Sequence, residues 1–326
     1  MEEPEISFVI PLYNEQDTFP NLCQRLEAVM ASLPYRFEVV LVNDGSRDAT
    51  ESLMAQKAYQ DPRYTCVFLS RNHGHQLALS AGLQAAHGSK AIMVLDGDLQ
   101  DPPELLADFV AQLDKGFDVV YAVRKKRKEN WTKKLAYKLF YRVMKQISYI
   151  EMPLDSGDFA LLSRRVVDVL NLMPEENRFL RGMRSWVGFK QIGLEYERDR
   201  RFAGQTKYTF KKLVRLAYMG IFNFSEFPIK FITNLGLFTV LISVVYLLLT
   251  IFFKLYYHNV PPGFTTLLFA IILFSGVQLI SLGVIGEYVL RIFFQVKGRP
   301  LFVVKHCIYR GKNYASLEQT NSEKLG

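Results

Sequence analysis

The 326-residue sequence predicts an α/β fold: a Rossmann-like, mostly parallel sheet, followed by interfacial amphipathic helices and a two-helix transmembrane hairpin. Three observations carry this expectation. Short apolar runs alternate with amphipathic stretches through the first 125 residues. A basic, aromatic-rich stretch follows. Two later runs of 23 residues contain no charge at all.

The apolar runs ISFVIPLYN (6–14), FEVVLVND (37–44), YTCVFLSR (64–71), KAIMVLDGD (90–98) and DVVYAVR (118–124) read as strands. Between them, residues 17–33, 48–60, 75–87 and 102–115 place apolar side chains at helical spacing. Asp48 is placed to cap the second helix, and Pro102-Pro103 opens the fourth in its first turn. Regular strand–helix alternation implies a parallel sheet covered on both faces. Ligands on such sheets bind beyond the carboxyl ends of the strands, so the chemistry is expected there.

Four strand ends carry suitable residues. The first ends in Pro11-Leu-Tyr13-Asn-Glu15 and the second in Asn43-Asp44-Gly-Ser46. Together at one sheet edge, their carboxylates suit a nucleoside pocket, although each alone could be a turn residue. The fourth continues as Asp96-Gly97-Asp98-Leu99-Gln100-Asp101. If the chain stays extended, residues 96, 98 and 100 share one face, giving an oxygen-only cluster that suits Mg²⁺ or Mn²⁺. Asp101 is expected to cap the following helix. Asp155-Ser-Gly-Asp158-Phe159 opens another extended run, FALLSR, and Asp158 there could orient an acceptor or act as a base. His73 and His75, in NHGH, suit the polar lining of the donor pocket better than a two-histidine metal site.

Residues 124–145 contain ten Lys or Arg and one acid, Glu129, interleaved with Trp131, Tyr137, Phe140 and Tyr141. That is the pattern of a helix lying among lipid headgroups, and an ordinary solvated helix is the alternative. Residues 211–230 are a second interfacial candidate. Between the two, Arg200, Arg201, Gly204, Thr206 and Lys207 suit phosphate or pyrophosphate at a bilayer surface, with a plain basic flank as the competing explanation. The charge-free runs, 231–253 and 264–286, would each span roughly 35 Å as helix, enough to cross a bilayer. Basic residues flank the hairpin on both outer sides, which places the flanks in the cytoplasm and the tip outside. Met1–Ser7 is acidic and leads straight into a strand pattern, so no signal peptide is expected. Cys23, Cys66 and Cys307 have neither metal-ligand spacing nor a disulfide pattern, as suits a reducing compartment. The net charge of +8 is assigned to anionic lipid rather than to nucleic acid.

The segments PLYNE, NDGSRDAT, DGDLQDPP, SGDF and RFAGQTKY, followed by two spans, resemble family 2 inverting glycosyltransferases of the polyprenyl-phosphate type. Bactoprenol glucosyltransferases are the most similar group, and dolichol-phosphate mannose synthases are related. The likeness runs in matching order from Ile6 to about Lys305. It implies a GT-A fold and a nucleotide-sugar donor. It places Pro11, Tyr13, Glu15, Val42 and Asp44 around the nucleoside, and Asp96, Gly97, Asp98 and Gln100 at the diphosphate and metal. Arg124, Arg200, Arg201 and Lys207 are assigned to donor or acceptor phosphate, and Asp158 to the acceptor, with Asp98 and Asp158 the catalytic candidates. Related sequences commonly carry lysine where this one has His75.

The expected organisation is a cytoplasmic GT-A domain at 1–210 (with its basic interfacial helix at 124–149), a juxtamembrane helix at 211–230, spans at 231–253 and 264–290, and a cytoplasmic tail at 291–326. The expected reaction is inverting transfer of a sugar, glucose first, from a UDP-sugar to undecaprenyl phosphate at the inner membrane, for cell-envelope glycans such as O-antigen. A homo-oligomer stays open. A processive polysaccharide synthase is disfavoured, because Arg181-Gly-Met-Arg184-Ser-Trp186 lacks the Q-x-x-R-W spacing and one hairpin cannot enclose a chain. A non-catalytic scaffold is disfavoured by the intact acidic cluster.

Overall fold

The computed structural model describes residues 3–124, 156–176, 178–197, 225, 227–257, 263–317 and 319. The expected interfacial helix beyond Arg124, most of the juxtamembrane segment and the hairpin tip fall outside the described residues, as do Arg200, Arg201 and Lys207. The chain forms two compact units. One holds the described residues up to 197 together with those from Pro300 onward, and the other holds the two apolar helices.

In the first unit, strands β1 (Ile6–Leu12), β2 (Phe37–Asn43), β3 (Tyr64–Leu69) and β4 (Ala91–Val94) form a parallel core in the order β4-β1-β2-β3. Helices α1 (Phe19–Ser32), α2 (Thr50–Gln60), α3 (His75–Ala85) and α4 (Leu106–Asp114) connect and flank them. Phe8, Ile10, Val9, Val40 and Val42 are all fully buried, which is why these strands read as continuous apolar runs. The approach of α3 to the sheet requires Gly82, since a Cβ there would lie 2.4 Å from Val9 Cγ1.

The sheet is larger and more mixed than the alternation alone implies. Strand β5 (Val119–Arg124) does not pair with β4. Strand β6 (Ser156–Ser163) inserts between them, antiparallel to both, and β7 (Gln191–Tyr196) adds parallel to β5 at the edge. At the other edge, β8 (Val304–Tyr309) pairs antiparallel with β3, and β9 (Lys312–Tyr314) closes a hairpin on it. Residues 304–314, read from sequence as part of a tail, are therefore sheet. Helices α5 (Arg164–Leu172) and α6 (Leu180–Trp186) follow β6.

The second unit contains α7 (Phe227–Tyr257) and α8 (Phe264–Val296). Both are long and apolar enough to cross a membrane, with mean hydropathy of 2.6 over Phe227–Phe253 and 1.6 over Leu273–Val296. They are not core helices, since large apolar side chains such as Leu241 and Leu279 are exposed along them. Arg291 and Glu287, one turn apart, form the expected pair at 3.0 Å.

Candidate active site

Because β1 and β2 are parallel with Leu12 opposite Asn43, PLYNE and NDGS leave the sheet at the same edge. Hydrogen bonds lock the two turns together. Asn14 N–H donates to Ser46 Oγ at 3.0 Å, and Arg47 N–H donates to Asn14 Oδ1 at 2.8 Å. Asp44 is buried at this junction and accepts from the backbone N–H groups of His73 at 2.7 Å and Gly74 at 3.0 Å. Burial pushes its carboxyl above the usual range, against the pull of those donors. Asp48 sits just before α2 and accepts from Thr50 N–H at 3.1 Å and Gln16 N–H at 3.2 Å. Gly45 has φ 68°, and a Cβ on it would lie 2.6 Å from backbone atoms of Arg71 and Asn72. Gly45→Ala should therefore cost about 1–3 kcal/mol from backbone strain alone. Thermal unfolding should show the loss.

The fourth strand ends at Val94, earlier than expected, and the chain then turns instead of staying extended. Leu99 sits in the left-handed region at φ 60°, and Asp98 accepts from the Gln100 N–H at 3.1 Å. The shared face expected for residues 96, 98 and 100 is thus replaced by a tight turn. Asp96, Gly97 and Asp98 line a cleft of about 290 Å³ with Pro11, Tyr13, Glu15, Asp44 and His75, and Gln100 is absent from that lining. Asp101 is not a helix cap. It is buried and accepts from the Tyr196 hydroxyl at 2.6 Å. Val42 is also buried inside the sheet, its methyl facing α3 at Gly82, and it does not line the cleft.

The antiparallel β4–β6 register explains how distant parts of the sequence meet. Val94, the last residue of β4, pairs with Ala160, so Asp96 and Asp158, each two residues beyond that pair, leave the ladder at the same end. His75, at the start of α3, stands between them, with Nε2 at 3.3 Å from Asp158 and 3.5 Å from Asp96. Burial opposes protonation of this imidazole, but the two carboxylates prevail and raise it to about 9. Asp96 is pushed up to about 6 by burial, with His75 opposing and Asp101, Asp158 and Asp98 adding repulsion.

Asp158 itself is only 7% exposed and is fully engaged. Arg181 Nε donates to its Oδ1 at 2.9 Å, and Gln76 Nε2 donates to its Oδ2 at 3.0 Å. Burial disfavours its charge, yet Arg181 and His75 outweigh that and hold the carboxyl well below the usual carboxylate range. Gln76 is fixed in turn, because its Oε1 accepts the Leu180 N–H at 2.8 Å. Sequence reasoning missed both Gln76 and Arg181. Gln76 was hidden as the neighbour of His75, and Arg181 lay in a segment considered only for the motif it lacked. Arg124 ends β5 beside the first residues of β6, since a Cβ on Gly157 would lie 3.5 Å from its Nη2.

A larger cavity of about 440 Å³ opens where β2 and β3 begin, among Arg36, Arg63 and Tyr309. Two of its three arginines are paired with acids, Arg36 to Glu5 at 3.6 Å and Arg63 to Asp61 at 2.7 Å, and the third, Arg310, lies over the Tyr309 ring at 5.1 Å. The smaller cleft, at the carboxyl ends of the strands and lined by Asp44, Asp96 and Asp98, is the one whose position and chemistry suit a nucleotide.

The donors there also suit a hard cation. Asp96 and Asp98 offer oxygen ligands, and a divalent ion would offset both the burial that chiefly raises Asp96 and the lesser repulsion from its neighbouring carboxylates. Among the described residues no group of three or more His, Cys, Asp and Glu is arranged to hold a metal ion, so an ion on Asp96 and Asp98 would need substrate phosphates to complete its shell.

The pattern of glycosyl transferase family 2 matches residues 7–170. An uncharacterized glycosyltransferase of Synechocystis is 42% identical over 97% of this chain and 99% of its own length. A prophage-derived bactoprenol glucosyl transferase of Shigella flexneri is 39% identical over 92% of this chain and 97% of its own, and a prophage bactoprenol glucosyl transferase homolog of Escherichia coli is 37% identical over 92% and 98%.

Proposed function

Because the chain belongs to glycosyl transferase family 2, we propose that it moves a sugar, glucose first, from a UDP-sugar to undecaprenyl phosphate at the cytoplasmic face of the membrane. The observation that carries this reading is the pairing of two acidic sites across one sheet edge: Asp44, Asp96 and Asp98 on the nucleotide side, and Asp158 beyond His75. The two exposed apolar helices support a lipid acceptor, as does the similarity to bactoprenol glucosyl transferases.

In this reading the acceptor's phosphate oxygen forms a bond to the anomeric carbon while the bond to UDP breaks on the opposite face, inverting the centre. The phosphate is already anionic near neutral pH, so the nucleophile needs orientation more than deprotonation. Asp158, bonded to Arg181, Gln76 and His75, is a fixed charge that would orient the phosphate through the Arg181 and His75 cations it anchors, since a carboxylate alone would repel it. Arg124, Arg200, Arg201 and Lys207 are assigned to phosphates of acceptor and donor. Asp96 and Asp98 would hold Mg²⁺ or Mn²⁺, with Gln100 as the third candidate, and the ion would stabilise charge on the departing UDP. Confinement of both reactants at the bilayer surface reduces the entropy lost in bringing them together.

The purified protein should form glycolipid when offered undecaprenyl phosphate and a panel of nucleotide sugars. A panel in which no donor reacts, including UDP-glucose, would sink the reading. Topology is tested separately. With both flanks inside, a cysteine placed at Asn259 should react with an impermeant thiol reagent in intact cells, and one at Ser316 should not. Cys23, Cys66 and Cys307 are buried, so the background should be low. The reverse labelling pattern would overturn the orientation.

A further inference from the structure

The chain leaves α8 at Val296 and re-enters the sheet as β8 at Val304. The β3–β8 register slips at this point. Phe68 pairs with His306 and Leu69 with Val304, which leaves Lys305 as the extra residue of a β-bulge. A bulge turns a side chain out of regular alternation, and bulges gather beside functional sites. Here the turned side chain is Lys305, whose Nζ donates to Glu51 Oε1 at 2.9 Å.

Glu51 passes the contact inward. Its Oε2 accepts from Asn43 Nδ2 at 3.2 Å, and Asn43 Oδ1 accepts the Ser46 N–H at 3.0 Å. Ser46 Oγ accepts the Asn14 N–H. Both turns of the nucleotide cleft, the one bearing Asp44 and the one after β1, therefore hang on this chain of bonds. A second tie runs through the backbone and a ring. Ser70 N–H donates to Val303 O at 2.9 Å, and His306 stacks on Phe68 with centroids 4.3 Å apart. These contacts fix the end of β3, from which the loop leads to the two N–H groups that hold Asp44.

We propose that β8 is a working part of the nucleotide site, and that Lys305 is a positioning residue for donor binding. It acts through Glu51 and Asn43 on the turn that carries Asp44. The inference rests on reading that cleft as the nucleotide site. A strand that only closed the sheet would add stability without changing nucleotide affinity.

The test uses full-length protein in detergent, with UDP and Mn²⁺ as the probe, followed by calorimetry and thermal unfolding. Lys305 is half-exposed, so its variants should fold. Lys305→Met should weaken UDP about three- to fivefold, the scale of one partly exposed ion pair, with Tm little changed. Lys305→Arg, which keeps the charge and reach, should restore wild-type affinity. Glu51→Leu cuts both bonds and should weaken UDP further, by about tenfold. Wild-type affinity in both Lys305→Met and Glu51→Leu would overturn the proposal. So would an affinity loss that follows Tm and is not restored by arginine. If the unaltered protein bound no UDP, the nucleotide reading itself would fall and take this inference with it.

Discussion

Asp98→Asn should leave a folded protein whose turnover is at least about a thousandfold slower, because several kcal/mol of charge stabilisation at the departing diphosphate is lost. The substitution is nearly isosteric. The asparagine carbonyl can still accept the Gln100 N–H that closes the turn, so the local backbone has no reason to change. Thermal unfolding should therefore stay close to wild type while glycolipid formation collapses. Removal of divalent ions by a chelator should reproduce the loss in the unaltered protein, and Mg²⁺ or Mn²⁺ should reverse it. Asp98→Asn itself should gain little from added metal. Full turnover of the unaltered protein in excess chelator would remove Asp96 and Asp98 from a metal role and leave them as donor-orienting groups.

What the sequence made legible follows from local physics. Strand–helix alternation and strand-end carboxylates are short-range signals, so β1 to β5 and the cleft residues Asp44, Asp96 and Asp98 could be placed before any coordinates. Most of the failures involve pairing between distant segments. FALLSR reads as extended, but nothing local says that it inserts antiparallel between β4 and β5, and that register is what brings Asp158 to Asp96. The short run VKHCIY follows the long apolar helix α8 and is easily taken for a tail, although β3 provides it with an edge. Alternation by two at residues 96–100 looked like a shared face, and the left-handed Leu99 breaks it. Arg181 and Gln76 carry no motif and become visible only through the bonds they make with Asp158.

Asp158→Asn should slow transfer by about a hundredfold without abolishing it, the scale of a misplaced reactant rather than of a missing proton acceptor. The Asp158 carboxylate is held well below the usual range by Arg181 and His75 against the effect of burial, so it is ionised throughout the working range but binds a proton too weakly to be an effective base. The linkage sign follows. A depressed carboxylate contributes stability that is fully present above its unfolded value of about 3.9 and is lost only as pH falls towards its folded value. Between pH 5.5 and 9, stability should therefore be insensitive to this group in the unaltered protein. The acid limb of the rate should come instead from the groups that titrate at about 6, the acceptor phosphate at its second pKa and Asp96, and should persist in the variant. Removing the charge leaves Arg181 without its partner, at a cost of about 1–3 kcal/mol. That is below the cost of breaking a fully buried pair, because the arginine side chain remains 29% exposed. Thermal unfolding and UDP binding must therefore be measured alongside the rate, so that a weakened fold is not mistaken for lost chemistry. A folded, UDP-binding Asp158→Asn protein with no turnover at any pH from 5.5 to 9 would make Asp158 the obligatory base. Residual turnover that rises through about pH 6 would leave it as the group that aims an already charged nucleophile.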